Sequence, residues 1–103
     1  MRHGVRIHGG ASCNIAQSDV LPAGIYELSC LYVPEALRND GRANKLLNIV
    51  CSDADKSRCP LAVMVDLGSP IWLVNMYEKH GFEVIQNEPC IMARRPKAKD
   101  ERR

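Results

Sequence analysis

Between Ile25 and Val65 the chain alternates strand-like and helix-like patterns in an order that leaves few folds open. Ile25-Tyr-Glu-Leu-Ser-Cys-Leu-Tyr-Val33 is a β-rich run with few polar positions, the composition of a central strand covered on both faces. Pro34 closes it, having no N–H to give to a ladder. Ala43, Leu46, Leu47, Val50 and Ala54 then recur at helical spacing and predict an amphipathic helix over 42–54. Asn44, Lys45, Asn48 and Asp55 fall largely off its apolar face. Lys56 to Pro60 reads as the exit loop and Leu61 to Val65 as a second buried strand. Strand, loop, helix and strand make a βαβ unit, whose parallel crossover is right-handed in nearly every known case.

The joint of this unit is Arg38-Asn39-Asp40-Gly41-Arg42-Ala43. Gly41 lets the backbone turn sharply and approach a ligand. The N–H groups after it belong to a helix's first turn, where they have no intrahelical partner and, with the helix dipole, favour an anion. The stretch reads as a phosphate cradle; the plain alternative is a strand-to-helix turn that happens to hold one glycine. Glu27 is the odd residue of the first strand, because a carboxylate buried in a central strand costs several kcal/mol unless it is paired, wet or protonated. It sits at the wet mouth of the sheet, has a functional role, or pairs with a basic residue such as Arg6.

The flanks complete an α/β chain. Val5 and Ile7 alternate with Arg6 and His8, Gly9-Gly10 marks a turn, and Ser12 to Gln17 suits a second strand, so a hairpin leads through Leu21-Pro-Ala-Gly24 into the central unit. His3 and His8 lack the further ligands of a metal site. Beyond the unit, Leu67-Gly-Ser-Pro70 reads as a helix start with Ser69 as N-cap and Pro70 at the first helical position. That helix runs to His80, is stopped by Gly81, and turns Leu73, Val74 and Tyr77 toward the sheet. Phe82–Ile85 and Cys90–Ala93 come next as two short antiparallel strands about the turn Gln86-Asn-Glu-Pro89.

A length of 103 residues predicts one domain, and 46% apolar with 25% charged residues is an ordinary globular composition. No apolar run approaches the roughly 18 residues of a membrane span and the N-terminus has no leader pattern, so the cytoplasm is the expected location. The five cysteines, Cys13, Cys30, Cys51, Cys59 and Cys90, form no C-x-x-C pair and are expected to be reduced and largely buried, with neither disulfide framework nor zinc. A catalytic cysteine needs a low thiol pKa and a nearby base, and the sequence shows neither, His80 being such a partner in principle only. The last ten residues carry six basic and two acidic side chains, which leaves residues 1–93 at −2. Such a run is expected to be a solvated, disordered tail over 96–103 behind a single domain at 1–95; without interleaved aromatics, nucleic acid is not the expected partner.

From Tyr26 to about Arg95 the chain resembles the core of the GNAT N-acyltransferase family, the acetyl-CoA-dependent enzymes. Leu31-Tyr-Val-Pro-Glu-Ala-Leu-Arg-Asn-Asp-Gly-Arg-Ala-Asn-Lys-Leu-Leu47 resembles the family's strand, (Q/R)-x-x-G-x-(G/A) pyrophosphate loop and leucine-paired helix. Met76-Tyr-Glu-Lys-His-Gly-Phe82 is similar to its tyrosine-bearing helix end, and one strand, Leu61–Val65, lies between the two. The match covers about two thirds of the chain. It implies a mixed sheet with a central βαβ unit, two main helices and a C-terminal strand pair, with the family's N-terminal helices missing because only about 24 residues precede the central strand.

The resemblance also implies a chemistry. Leu31, Tyr32 and Val33 would border the pantetheine arm, with backbone groups of Leu31 and Val33 bonding it at a splay between strands. The stretch Arg38, Asn39, Asp40, Gly41, Arg42 and Ala43 would hold the pyrophosphate. Tyr77 would protonate the leaving thiolate as general acid, and Glu27 would act as general base on an attacking amine; packing is the plain alternative for Tyr77. Departures from the family are the negative Asp40 within the loop and Pro70, seven residues before Tyr77, where many members have asparagine. The expected function is transfer of acetyl from acetyl-CoA to a primary amine of a protein, peptide or small molecule, by a chain that could form a homodimer. The alternatives are a non-catalytic acyl-CoA-binding or interaction module and a nucleic-acid-associated module using the basic tail.

Overall fold

The computed structural model describes residues 1–18, 21–66 and 68–97. One sheet is formed by β1 (Gly4–His8), β2 (Ala11–Gln17), β3 (Tyr26–Tyr32), β4 (Leu61–Val65), β5 (Glu83–Asn87) and β6 (Cys90–Arg94), in the order β1-β2-β3-β4-β6-β5. Helices α1 (Arg42–Ser57) and α2 (Ile71–Lys79) and a 3-10 turn at Glu35–Leu37 complete the elements. The unit β3-α1-β4 is parallel, and the β1–β2 and β5–β6 hairpins are antiparallel, as the sequence pattern predicts. No helix among the described residues is long and apolar enough to cross a membrane.

Both helices pack on one face of the sheet. Leu46, Leu47, Val50, Cys51 and Ala54 of α1 and Tyr77 of α2 share a buried cluster with Cys13 and Ile15 of β2, Leu28 of β3, Leu61 and Val63 of β4, and Met92 of β6. Ile15 opposes Leu28 and Val63 opposes Met92, so alternation puts these strand residues on the same side. Glu27, Asn14, Ser29, Ala62 and Met64 lie on the other side, over which the described residues place no helix.

The expectation of a β3 covered on both faces is therefore corrected. Leu28 is its one fully buried residue, and Cys30 and Tyr32 are exposed. The reason is a bulge: Cys30 takes φ +56 and the register with β2 slips between Ser12 and Asn14, so the alternation resets before the strand ends. The apolar residues past the bulge serve a groove rather than a core. At the other end of the hairpin, Gly10 has φ +86, which strains any other residue, and a Cβ there would lie 2.5 Å from Leu37 Cδ1 and push that side chain of the 3-10 turn aside.

Two helix boundaries also differ. Helix α1 runs on to Ser57, because Asp55 is not outside the apolar face: it comes after Leu47 and Cys51 at intervals of four and is buried. Its partner is Arg94, 4% exposed, whose Nη1 lies 2.9 Å from Asp55 Oδ1. Arg94 Nε also donates to the carbonyl of His80 at 2.9 Å, and the Lys97 amide donates to Asp55 Oδ1 at 2.9 Å. Thus Arg94 closes the core rather than opening the basic run; residues 98–103 of that run lie outside the described residues. Helix α2 begins one residue later than predicted. Pro70, with φ −69 and ψ 149, is its extended N-cap, and no side chain caps the helix, Ser69 included. The proline ring fixes φ at a value suited to either position, and ψ decides against the helix here. Leu67, at the predicted start, lies outside the described residues.

Arg94 also shows the direction of α2. Arg94 opposes Leu61 at the beginning of β4 and bonds His80 at the end of α2. The helix therefore runs antiparallel to β4, with its first turn at the strand's far end.

Candidate functional site

Strands β3 and β4 pair only at Tyr26–Leu61 and Glu27–Ala62. Beyond that point β3 stays with β2 and β4 stays with β6, so the two middle strands part. Past the parting lies a groove of about 530 Å³. One side is formed by Leu31, Tyr32, Val33, Leu37, Arg38 and Asn39, the floor by Gly41, Arg42, Ala43 and Asn44, and the other side by Pro70, Trp72, Leu73 and Met76 of the α2 start. Leu31, Tyr32, Val33, Arg38, Asn39, Gly41, Arg42 and Ala43, all predicted as cofactor-binding, are brought together here; Asp40 is not among the lining residues. The α2 wall escapes prediction because the helical phase of Leu73 points only to the sheet. Leu73 both packs against the core and lines the groove.

The floor of the groove is rich in free donors. Asn39 and Gly41 adopt φ +71 and +80, and Gly41 is the left-handed N-cap of α1, with no side chain capping it. The first intrahelical bond runs from the Lys45 amide to the Gly41 carbonyl at 3.0 Å. The amides of Arg42, Ala43 and Asn44 are thus left to an outside acceptor at the positive end of a sixteen-residue helix.

Two guanidiniums stand beside these amides. Arg38 Nε donates to the Val33 carbonyl at 2.8 Å, and its guanidinium carbon lies 5.8 Å from the centroid of the Tyr32 ring. Arg42 Nε lies 2.8 Å from Asp40 Oδ2, while Nη1 donates to the Gly9 carbonyl at 2.6 Å. The β1–β2 turn therefore holds Arg42 in place. Asp40 is exposed and Arg42 half-exposed, so their pairing contributes at most about 1 kcal/mol, and a phosphate can compete with the carboxylate.

The predicted catalytic residues lie outside the groove lining. Tyr77 is buried, its ring 5.5 Å from that of Phe82, and the described residues offer its hydroxyl no hydrogen bond. Burial, with a smaller push from Cys13, raises its pKa to about 12, so the phenol stays protonated. Glu27 is the last β3 residue paired with β4, at the apex of the parting, half-buried on the face away from the helices. It does not pair with Arg6, which instead reaches Asp53 at 3.0 Å.

The cysteines are free, but fewer are buried than predicted: Cys13 and Cys51 are, Cys59 and Cys90 are half-buried, and Cys30 is exposed. Burial pushes the Cys13 and Cys51 thiols up to about 11, which makes them poor nucleophiles.

His80 serves the groove at one remove. Its Nε2 lies 2.6 Å from Oδ1 of the groove residue Asn44, so the imidazole donates and fixes that amide. Burial first, then the charges of Arg94 and Lys97, lowers its pKa below the usual 6.5. The folded chain thus binds this proton more weakly than the unfolded chain. Stability present above about pH 6.5 is lost as pH falls toward the lowered value. Thermal midpoints measured from pH 7.5 to 5.5 are expected to fall further for the wild type than for His80→Gln; equal falls would contradict this.

No protein-family model and no curated protein matches the chain. Solved structures do. An N-acetyltransferase from Staphylococcus aureus Mu50 aligns over 84% of this chain and 61% of its own, at 18% identity and TM-score 0.71. The NatC complex bound to Gag peptide and CoA aligns over 84% and 60%, at 18% identity and TM-score 0.65. A GNAT family N-acetyltransferase from Escherichia coli in complex with CoA aligns over 84% and 52%, at 14% identity and TM-score 0.64. The fold is that of the GNAT N-acetyltransferases. The chain spans 52 to 61% of the length of these three structures.

Proposed function

We propose that residues 1–95 form an acyl-CoA-binding domain that transfers an acetyl group from acetyl-CoA to a primary amine. One observation carries this: the parting of β3 and β4 opens into a groove whose floor presents the α1 amides and two arginines. Unpaired amides and guanidiniums suit a pyrophosphate, and the apolar side chains of Leu31, Val33, Leu73 and Met76 suit an extended, weakly polar arm. Acetyl-CoA would supply an activated acetyl and a leaving thiolate. Leu31 and Val33 would orient the arm by their backbone groups, the Val33 carbonyl being released from Arg38 as that side chain turns to phosphate.

Glu27 sits where an amine reaching the apex from the helix-free face meets a carboxylate. The amine nitrogen bonds the thioester carbonyl carbon, the carbon–sulfur bond breaks, Glu27 takes the amine proton and Tyr77 gives its phenolic proton to sulfur. A phenol that stays protonated has a proton to give in this role. The exposed edge strands of the sheet leave room for a homodimer, which light scattering on a sizing column would report, and a cytoplasmic setting is part of the proposal.

Calorimetry with acetyl-CoA and then thiol release against an amine panel tests the reading. Binding and release are expected, with Tyr77→Phe and Glu27→Gln each lowering kcat about a hundredfold and leaving binding intact. A second reading, a non-catalytic acyl-CoA-binding module, is favoured by Tyr77 being packed against Phe82 and absent from the groove lining. Binding without release, indifferent to both substitutions, is its outcome. No binding at millimolar acetyl-CoA would defeat both.

A further inference from the structure

The α2 wall of the groove carries a feature that acetyl transfer alone does not require. Trp72, the chain's single tryptophan, is 61% exposed although it lines the groove. A large ring left this open on a helix whose next turn packs into the core is unused apolar surface with one polar handle. Its place along the groove is set by the direction of α2. The end of that helix is tied to the beginning of β4 by the bond from Arg94 to His80, so Trp72 stands at the outer mouth and Met76, one turn on, stands nearer the parting. At that same mouth β3 ends on Tyr32, also exposed, with the Arg38 guanidinium over its ring. The mouth thus combines two exposed aromatic faces with the cations and amides of the cradle. A flat, electron-rich heterocycle carrying phosphate nearby fits both, whereas a flexible chain needs neither ring.

We propose that Trp72 stacks on the purine base of the bound nucleotide and so selects an adenine-bearing ligand over an acyl-pantetheine without a nucleotide. The proposal rests on the acyl-CoA reading for the rest of the ligand and not for the base. Adenosine 3′,5′-bisphosphate, ATP and coenzyme A all carry adenine and phosphates, and only coenzyme A adds the pantetheine arm. Pantetheine has the arm alone.

Trp72 fluorescence gives a direct readout. Titration with adenosine 3′,5′-bisphosphate and with coenzyme A is expected to quench and shift the emission, while pantetheine leaves it unchanged. In calorimetry Trp72→Leu is expected to weaken both nucleotides about tenfold and Trp72→Phe to restore most of that, base-on-aromatic stacking being of this order. The residue is exposed, and melting curves check that both variants fold. Quenching by pantetheine equal to that by the nucleotides, or Trp72→Leu binding adenosine 3′,5′-bisphosphate as tightly as wild type, overturns the proposal. Coenzyme A bound without any change at Trp72 sinks this inference and leaves the acyl-CoA reading standing. Adenosine 3′,5′-bisphosphate and ATP bound with quenching but coenzyme A refused does the reverse, and a wild type that binds none of them ends both.

Discussion

Arg94→Met is expected to lower the free energy of unfolding by about 3–5 kcal/mol, the usual cost of removing one partner from a buried ion pair. The substitution roughly keeps the volume and leaves the Asp55 carboxylate in the core with the Lys97 amide as a remaining donor. It also releases the carbonyls of His80 and Cys51, which Arg94 holds at 2.9 and 3.4 Å. For a chain of this size the loss is a large share of the roughly 5–15 kcal/mol that such domains have, and the thermal midpoint should drop by more than about 10 °C. Asp55→Leu combined with Arg94→Met should recover most of the loss, because the buried carboxylate is then removed together with its counter-cation. Urea midpoints at unchanged slope are the measurement; a single variant within about 1 kcal/mol of wild type would show that the pair does not hold α1 to β6.

Reversing both groove arginines, Arg38→Glu with Arg42→Glu, should weaken acetyl-CoA binding by about a hundredfold. Each change turns an attraction to the pyrophosphate into a repulsion, worth about 1–2 kcal/mol per residue at partly hydrated distances. Neither side chain is buried; Arg38 is held by a local bond, and Arg42 by Asp40 and by one exposed bond to the Gly9 carbonyl, so the fold should survive. Lys56→Glu with Arg58→Glu makes the same change in net charge at the other end of α1, about 20 Å away, and should alter affinity little. Equal weakening by the two pairs would mean that the groove is not where the phosphates bind.

The elements that could be read from the chain are those whose signal is local. The period of Ala43, Leu46, Leu47 and Val50 marks a helix whatever surrounds it, and Pro34, Gly41 and Gly81 mark the breaks. The turn from Arg38 to Ala43 was legible for the same reason: a glycine and a helix start mark it locally. Asp55 and Arg94 were misjudged because a charge looks solvated until its partner, 39 residues away, is known to lie across the core. Tyr77 was placed correctly on an apolar face, but its exclusion from the groove lining comes from how α2 sits, which the period of a helix does not encode.

By itself, then, the sequence determined the βαβ unit, the flanking hairpins and the glycine turn that leads into α1, since backbone propensity and hydrophobic period act over a few residues. Tertiary structure alone decided that β3 and β4 part after Glu27, that both helices share one face, and that Trp72 and Met76 wall the groove. It also converted two apparently solvated charges into the buried pair between α1 and β6. These outcomes depend on strand register and on which surfaces meet, and the free energy of such contacts is set by residues distant in the chain.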